Sequence, residues 1–256
     1  MDRKKALLLL GGLIALLVVI GINVGPIAQP LHYHDFADQR GLLGVPNGMD
    51  VWSNMPFALV GFWGLFLLLS PSRVQFVDNG ERWPWIGVSL GLILTAIGSA
   101  YYHLVPDNAR LVWDRLPMTL VFMSYVAALI TERIDKTLGL WLWPVLLAVG
   151  IYSVFQWQQT ELSGGSDLRF YGGMQVFTVL ATLIFLFIPS RYTHNWDLAL
   201  VILFFGAARI FELYDHEVWM ATGGIISGHT LKHLVAAFAG FWLLRMLAVR
   251  RIANAH

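Results

Sequence analysis

The sequence predicts an all-α integral membrane protein with eight spans. Composition is the first reason: 57% of the 256 residues are hydrophobic, 13% are charged, and the mean hydropathy is +0.63, too apolar for a soluble domain. The second is that the apolar residues fall into stretches of about 17–25, the length that carries a helix across a bilayer. The third is the connectors, which are polar, contain Gly and Pro, and are too short to hold a soluble domain, as in "SPSRVQFVDNGERWP" and "TERIDKTLG". A net charge of +1 with scattered basic residues gives no surface for nucleic acid. Cysteine is absent, so disulfides, thiolate catalysis and cysteine-bound metals are excluded, and any metal must be held by His, Asp or Glu.

The first span, 6–24, follows the basic start "MDRKK". That start fits a signal peptide or a retained anchor, and the long apolar run with only a weak cleavage site in "NVGPIAQP" favours the anchor. The second span is expected at 51–70. The third, 85–104, ends in "TAIGSAYYHLVPDNARLVWDRLPM", which places His103 where the helix reaches an interface and Ser99 one turn earlier on the same face. The fourth, 114–131, opens on Asp114. A carboxylate there either complements the helix dipole or faces a reacting water, to orient it and take its proton. Spans at 139–156, 171–188 and 197–213 follow, the last leading into "ARIFELYDHE", where Arg209 and Glu212 sit at ion-pair spacing. The eighth, 228–248, opens with "SGHTLKHLV", in which His229 and His233 are four apart and share one helix face. Two readings of that pair stay open: two ligands on one metal ion, or hydrogen-bonded helix contacts. Lys232 between them projects to a different face.

Positive residues are retained on the cytoplasmic side. With the N-terminus inside, the inner segments collect Arg3, Lys4, Lys5, Arg73, Arg82, Arg133, Lys136, Arg191, Arg250 and Arg251. Both termini are then cytoplasmic. The same arrangement, built without using them, puts His32, His34, His103, His216, His229 and His233 on the outer side. It also puts Asp35, Asp38, Asp50, Asp107, Asp114, Glu212, Asp215 and Glu217 there, and only His194 and His256 among the histidines fall elsewhere. Ionisable groups near lipid are costly and usually functional, so one polar site at the outer end is expected. His103 as a third imidazole would leave one tetrahedral position open, the arrangement of a catalytic zinc site.

The ordered set of Ser99, His103, Asp114 followed by "LPM", and a His-x-x-x-His in the last span resembles the alkaline ceramidases. These belong with the progestin/adiponectin-receptor-like proteins in a superfamily of membrane hydrolases. The resemblance covers roughly residues 32–248. It implies a seven-helix hydrolase domain over 31–256, preceded here by an extra N-terminal anchor helix within 1–30. It further implies Zn²⁺ held by His103, His229 and His233, with Asp114 serving the attacking water and Ser99 supporting the site by stabilising an oxyanion. The substrate it implies is ceramide or another N-acyl lipid within the membrane, cleaved to a fatty acid and a lipid amine. The family also carries a calcium site before its first core helix, where this chain has "HYHDFADQRGLLGVPNGMDVWSN". There Asp35, Asp38, Asn47 and Asp50 offer oxygen ligands, while Arg40 adds an opposing charge. Two other functions use the same residues. A receptor-like protein braced by zinc predicts a site without a lipid-sized cavity, and a haem protein needs imidazoles facing each other across the ring.

Overall fold

The computed structural model describes residues 3–70 and 72–253, which form helices joined by short connectors; His256 lies outside the described residues. The α-helices are α1 (Arg3–Asn23), α2 (Gly48–Trp52), α3 (Met55–Leu69), α4 (Arg82–Leu104), α5 (Asn108–Arg133), α6 (Lys136–Leu162), α7 (Arg169–Leu186), α8 (Asp197–Leu213), α9 (Asp215–Ala221) and α10 (Gly228–Val249). No strand occurs among the described residues. Each predicted apolar stretch is helical, the second across α2 and α3 together.

Six segments are long and apolar enough to cross a membrane: Arg3–Asn23, Gly48–Leu69, Asn79–Leu104, Lys136–Leu162, Arg169–Leu186 and Gly228–Val249. The other two predicted spans form helices that differ from these in length or polarity. α8 has 17 residues, about 26 Å at 1.5 Å per residue. α5 has 26 residues and carries five charged side chains, of which Asp114, Arg115 and Glu132 are buried. Those charges turn into the bundle. The Arg115 guanidinium lies 4.1 Å from the Trp157 ring centroid and 4.9 Å from that of Tyr171, and it donates to Gln29 Oε1 at 2.6 Å. Glu132 takes two hydrogen bonds from Arg250, at 2.6 and 2.9 Å, and one from Trp85 Nε1 at 2.7 Å.

Element boundaries follow local capping. α5 begins at 108 rather than 114 because the Asp107 side chain accepts from Arg110 N at 2.7 Å. Asp135 does the same for Leu138 N at 2.8 Å and Ser227 for Thr230 N at 3.0 Å, fixing the starts of α6 and α10. The second predicted stretch is broken at Ser53 and Asn54, so α2 and α3 are separate helices. α4 and α5 approach so closely that a Cβ on Gly98 would run into the Trp113 carbonyl oxygen, a small-residue crossing of the kind that packs membrane helices.

α1 is apolar on every side, with only Ala6, Leu10 and Leu13 buried, and lies along α7. Its last carbonyls are satisfied from outside, since Arg169 Nη1 donates to Gly21 O at 2.8 Å and to Val24 O at 2.5 Å. The bundle has a polar cluster at each end. At one, Glu81 pairs with Arg191 and accepts from Tyr192, beside the buried Glu132–Arg250 pair. His194 belongs to that end, where it faces Asp197 at 3.5 Å. At the other, the end of α4 meets the starts of α5, α3 and α10.

Candidate metal centre

Two helices supply three imidazoles. α4 ends one residue after His103, while α10 presents His229 and His233 on consecutive turns of one face. All three are buried, at 1%, 3% and 3% exposure, where an unpaired polar ring is costly. Their ring centroids form a nearly regular triangle with sides of 4.8, 4.9 and 4.8 Å. One nitrogen from each lies within 4.8 Å of the others, and Nε2 of His103 is 3.2 Å from Nε2 of His229.

That separation fits a metal. Ligands about 2.0–2.1 Å from zinc at tetrahedral angles stand about 3.3 Å apart. A plain N–H···N hydrogen bond also fits 3.2 Å, but it accounts for two rings and leaves the convergence of the third unexplained. The donor set is all imidazole, which suits zinc, copper, iron or nickel and excludes a hard oxygen-seeking cation.

The triad is held from behind. Ser53 Oγ is hydrogen-bonded to His233 Nδ1 at 2.8 Å, which directs His233 Nε2 toward the other rings. Asn47 Nδ2 donates to the His103 carbonyl at 2.9 Å. Asp215 accepts from His229 N at 2.7 Å and from Ala37 N at 2.9 Å, so one carboxylate ties the start of α10 to the connector before α2. Phe36 covers the cluster, its ring centroid 4.7 Å from that of His103 and 4.4 Å from that of His229. Sequence reasoning did not single out Ser53 or Phe36. It placed Asp215 on the outer side without giving it this role.

Ser99 and Asp114 are both buried, and with His233 they line the same cavity. Its volume is about 150 Å³, and it lies between α3, α4, α5, α7, α8 and α10, with walls that include Phe57, Leu92, Phe122 and Phe205. Lys232 is not among the converging ligands; it lines the cavity and pairs with Glu212 at 2.8 Å. Glu212 also pairs with Arg209, as their spacing predicted, and accepts from Tyr33 Oη at 3.2 Å.

The four oxygen-bearing residues before α3 have separate partners. Asp38 is engaged by Arg40 Nε and Nη2, each at 2.8 Å, and Asp50 accepts from Thr230 Oγ1 at 2.8 Å. Asn47 is committed to His103, and Asp35 takes a 3.3 Å contact from Gln39. Among the described residues, these carboxylates form no convergent group like the histidine triad. Two further histidines make other contacts: His34 bridges Tyr102 Oη and Asn108 Oδ1 at 2.7 and 2.9 Å, and His216 contacts the Asp35 carbonyl at 3.0 Å. No protein-family model matches the chain, and no curated protein matches it.

Proposed function

We propose that this protein is a zinc-dependent membrane amide hydrolase that cleaves ceramide or a related N-acyl lipid. In this reading all eight long helices cross the bilayer, both termini are cytoplasmic and the metal centre faces the outer side. The observation that carries it is the continuity of the triad with an apolar cavity: His233, Ser99 and Asp114 all border the space into which an acyl chain would pass. His103, His229 and His233 would hold the ion, which when bound supplies Lewis acidity to a water and to the scissile carbonyl. Asp114 takes the proton of the attacking water and returns one to the departing amine. Ser99 donates a hydrogen bond to the oxygen on which charge develops. Phe36 excludes bulk water from the rings, and the cavity walls fix the acyl chain, so that the carbonyl is presented in one orientation.

A receptor-like protein braced by zinc has no use for a cavity running from the ligands, which is why hydrolysis is preferred. A haem reading meets a steric objection, since nitrogens 3.2 Å apart leave no room for a porphyrin between them. The test is to incubate purified protein with ceramides and other N-acyl lipids, with and without a chelator, and to measure released fatty acid by mass spectrometry. Release that stops with chelator and returns with zinc is expected. Full zinc loading with no release from any N-acyl lipid would favour the receptor-like protein.

A further inference from the structure

The apolar cavity is bordered by a cation. Among the described residues that line it, only Asp114 and Lys232 carry a full charge, and most of the others are aliphatic or aromatic. The Lys232 side chain is 15% exposed, and a lysine ammonium held away from water is costly unless an anion meets it. Its Nζ reaches Glu212 Oε1 at 2.8 Å, but Glu212, itself 8% exposed, also pairs with Arg209 and accepts from Tyr33 Oη. Two cations therefore share one carboxylate, and one positive charge is left unmatched. The other buried acids at this end have partners of their own, Asp38 in Arg40, Asp50 in Thr230 and Asp215 in two backbone N–H groups. The ionic cluster continues the cavity wall. α10 lines the cavity with Lys232, Ala236 and Ala239 at helical spacing; α8 lines it with Val201 and Phe205, and Arg209 is one turn further along the same face.

We infer that Lys232, with Arg209 beside it, selects N-acyl lipids whose headgroup is an anion close to the amide, as in an N-acyl amino acid. The position fits. Lys232 falls between His229 and His233 on α10, and with His233 it lines the cavity. In an N-acyl amino acid the carboxyl carbon follows the scissile carbonyl carbon by three bonds, about 4.3 Å along the chain. A substrate whose carbonyl is at the triad then holds its carboxylate beside the wall that Lys232 and His233 share. The ammonium has donors to offer, since Nζ carries three hydrogens and Glu212 is its acceptor among the described residues. The hydroxyls of a sphingoid headgroup bring no charge to match it. The inference rests on the reading that the centre hydrolyses an amide, and its test separates the two.

N-Octanoylglycine and N-octanoylglycinamide differ little in shape and by one charge, and N-octanoylsphingosine represents the neutral lipid amides. The three compete for the purified protein, with occupancy read by native mass spectrometry, and released octanoate measures turnover. The wild-type protein is expected to prefer N-octanoylglycine to the glycinamide by about 10–100-fold in occupancy and in kcat/KM, the range of a hydrogen bond to a charged group. Lys232→Met should bring that ratio close to one and Lys232→Arg should keep it high. Glu212→Gln, which frees both cations, should raise it severalfold. An ion pair that only braced α8 against α10 predicts otherwise: Lys232→Met and Glu212→Gln would weaken both glycine compounds alike and leave the ratio where it was. If Lys232→Met does not fold, the rise in Glu212→Gln decides. Equal occupancy by the two glycine compounds, or a ratio that moves in neither variant, overturns the inference. The expected ratios in occupancy with no octanoate released from any of the three keep the anion site and remove the hydrolase. Octanoate released from the sphingosine and glycinamide compounds as fast as from N-octanoylglycine does the reverse.

Discussion

At the scale of single residues, the site divides into groups that would hold a metal and groups that would act beside it, and the two should fail differently. Replacing His103, His229 or His233 by Ala removes a ligand, so zinc content and turnover should fall together. Asp114→Asn keeps side-chain size and all three imidazoles; zinc should stay while turnover falls by about 10²–10⁴-fold. Ser99→Ala should also keep zinc and lose about 10²–10³-fold. Metal per protein and turnover, measured on each variant, check the division; zinc retained by His229→Ala would overturn it. Ser53 tests the layer behind. Its hydroxyl orients His233, so Ser53→Ala should weaken zinc binding by about 10–100-fold, measured by competition with a chromophoric chelator. His229 and His233 were legible in the sequence because their spacing lies within one helix, and His103 because it ends its span at the same side. Ser53, Asp215 and Phe36 were not, because each reaches the triad only through the break between α2 and α3 or the connectors at that end, and no periodicity encodes such contacts. Asn47 and Asp50 show the converse. Read as oxygen ligands, they instead tie the start of α2 to α4 and α10, since a buried carbonyl and a buried hydroxyl needed those partners.

At the scale of elements, the position of α10 decides whether two of the three imidazoles reach the third. Its first residue, Gly228, lies against α8 and α9, where a Cβ would run into the Phe211 carbonyl and the Asp215 backbone. Gly228→Ala should push α10 outward, destabilise the protein by about 1–3 kcal/mol and lower zinc affinity as well, because His229 is the next residue. Thermal unfolding with and without zinc measures both; an unchanged zinc-dependent shift would mean that α10 has room to spare. α1 offers the contrasting case, since it touches α7 far from the triad. Arg169 caps its C-terminal carbonyls and is itself held by Asp167, whose carboxyl this hydrogen bond keeps below the usual range. A depressed carboxylate stabilises the fold at neutral pH and loses that contribution as pH falls through its folded value, so the clamp weakens only in acid, below about pH 4. Arg169→Ala should speed amide exchange at the end of α1 without altering zinc content. α5 was the least typical span for the sequence to reveal, because its charges depress its hydropathy. Asp107 extends it, and Trp157, Tyr171 and Arg250 explain where those charges go.

For the whole molecule, hydropathy located every long helix, because lipid-facing surface imposes an apolar run whatever the interior contains. It did not show the cavity, which is a property of how six helices lean together, nor the buried Glu132–Arg250 pair, whose members are 118 residues apart. The number of crossings is the remaining whole-molecule question, and it turns on α5 and α8, one charged and one short. If both cross, connectors at their two ends lie on opposite sides of the membrane. The absence of cysteine makes this direct to measure, since a single introduced thiol is the only one to react. Val105→Cys before α5 and Ile225→Cys after α8 are expected to label from outside with a membrane-impermeant reagent. Thr137→Cys just beyond α5 and His194→Cys before α8 are expected to label only after the membrane is opened, because their side carries the excess of Lys and Arg that stays cytoplasmic. Outside labelling at Thr137 would remove α5 as a crossing. Outside labelling at His194 together with Ile225 would remove α8.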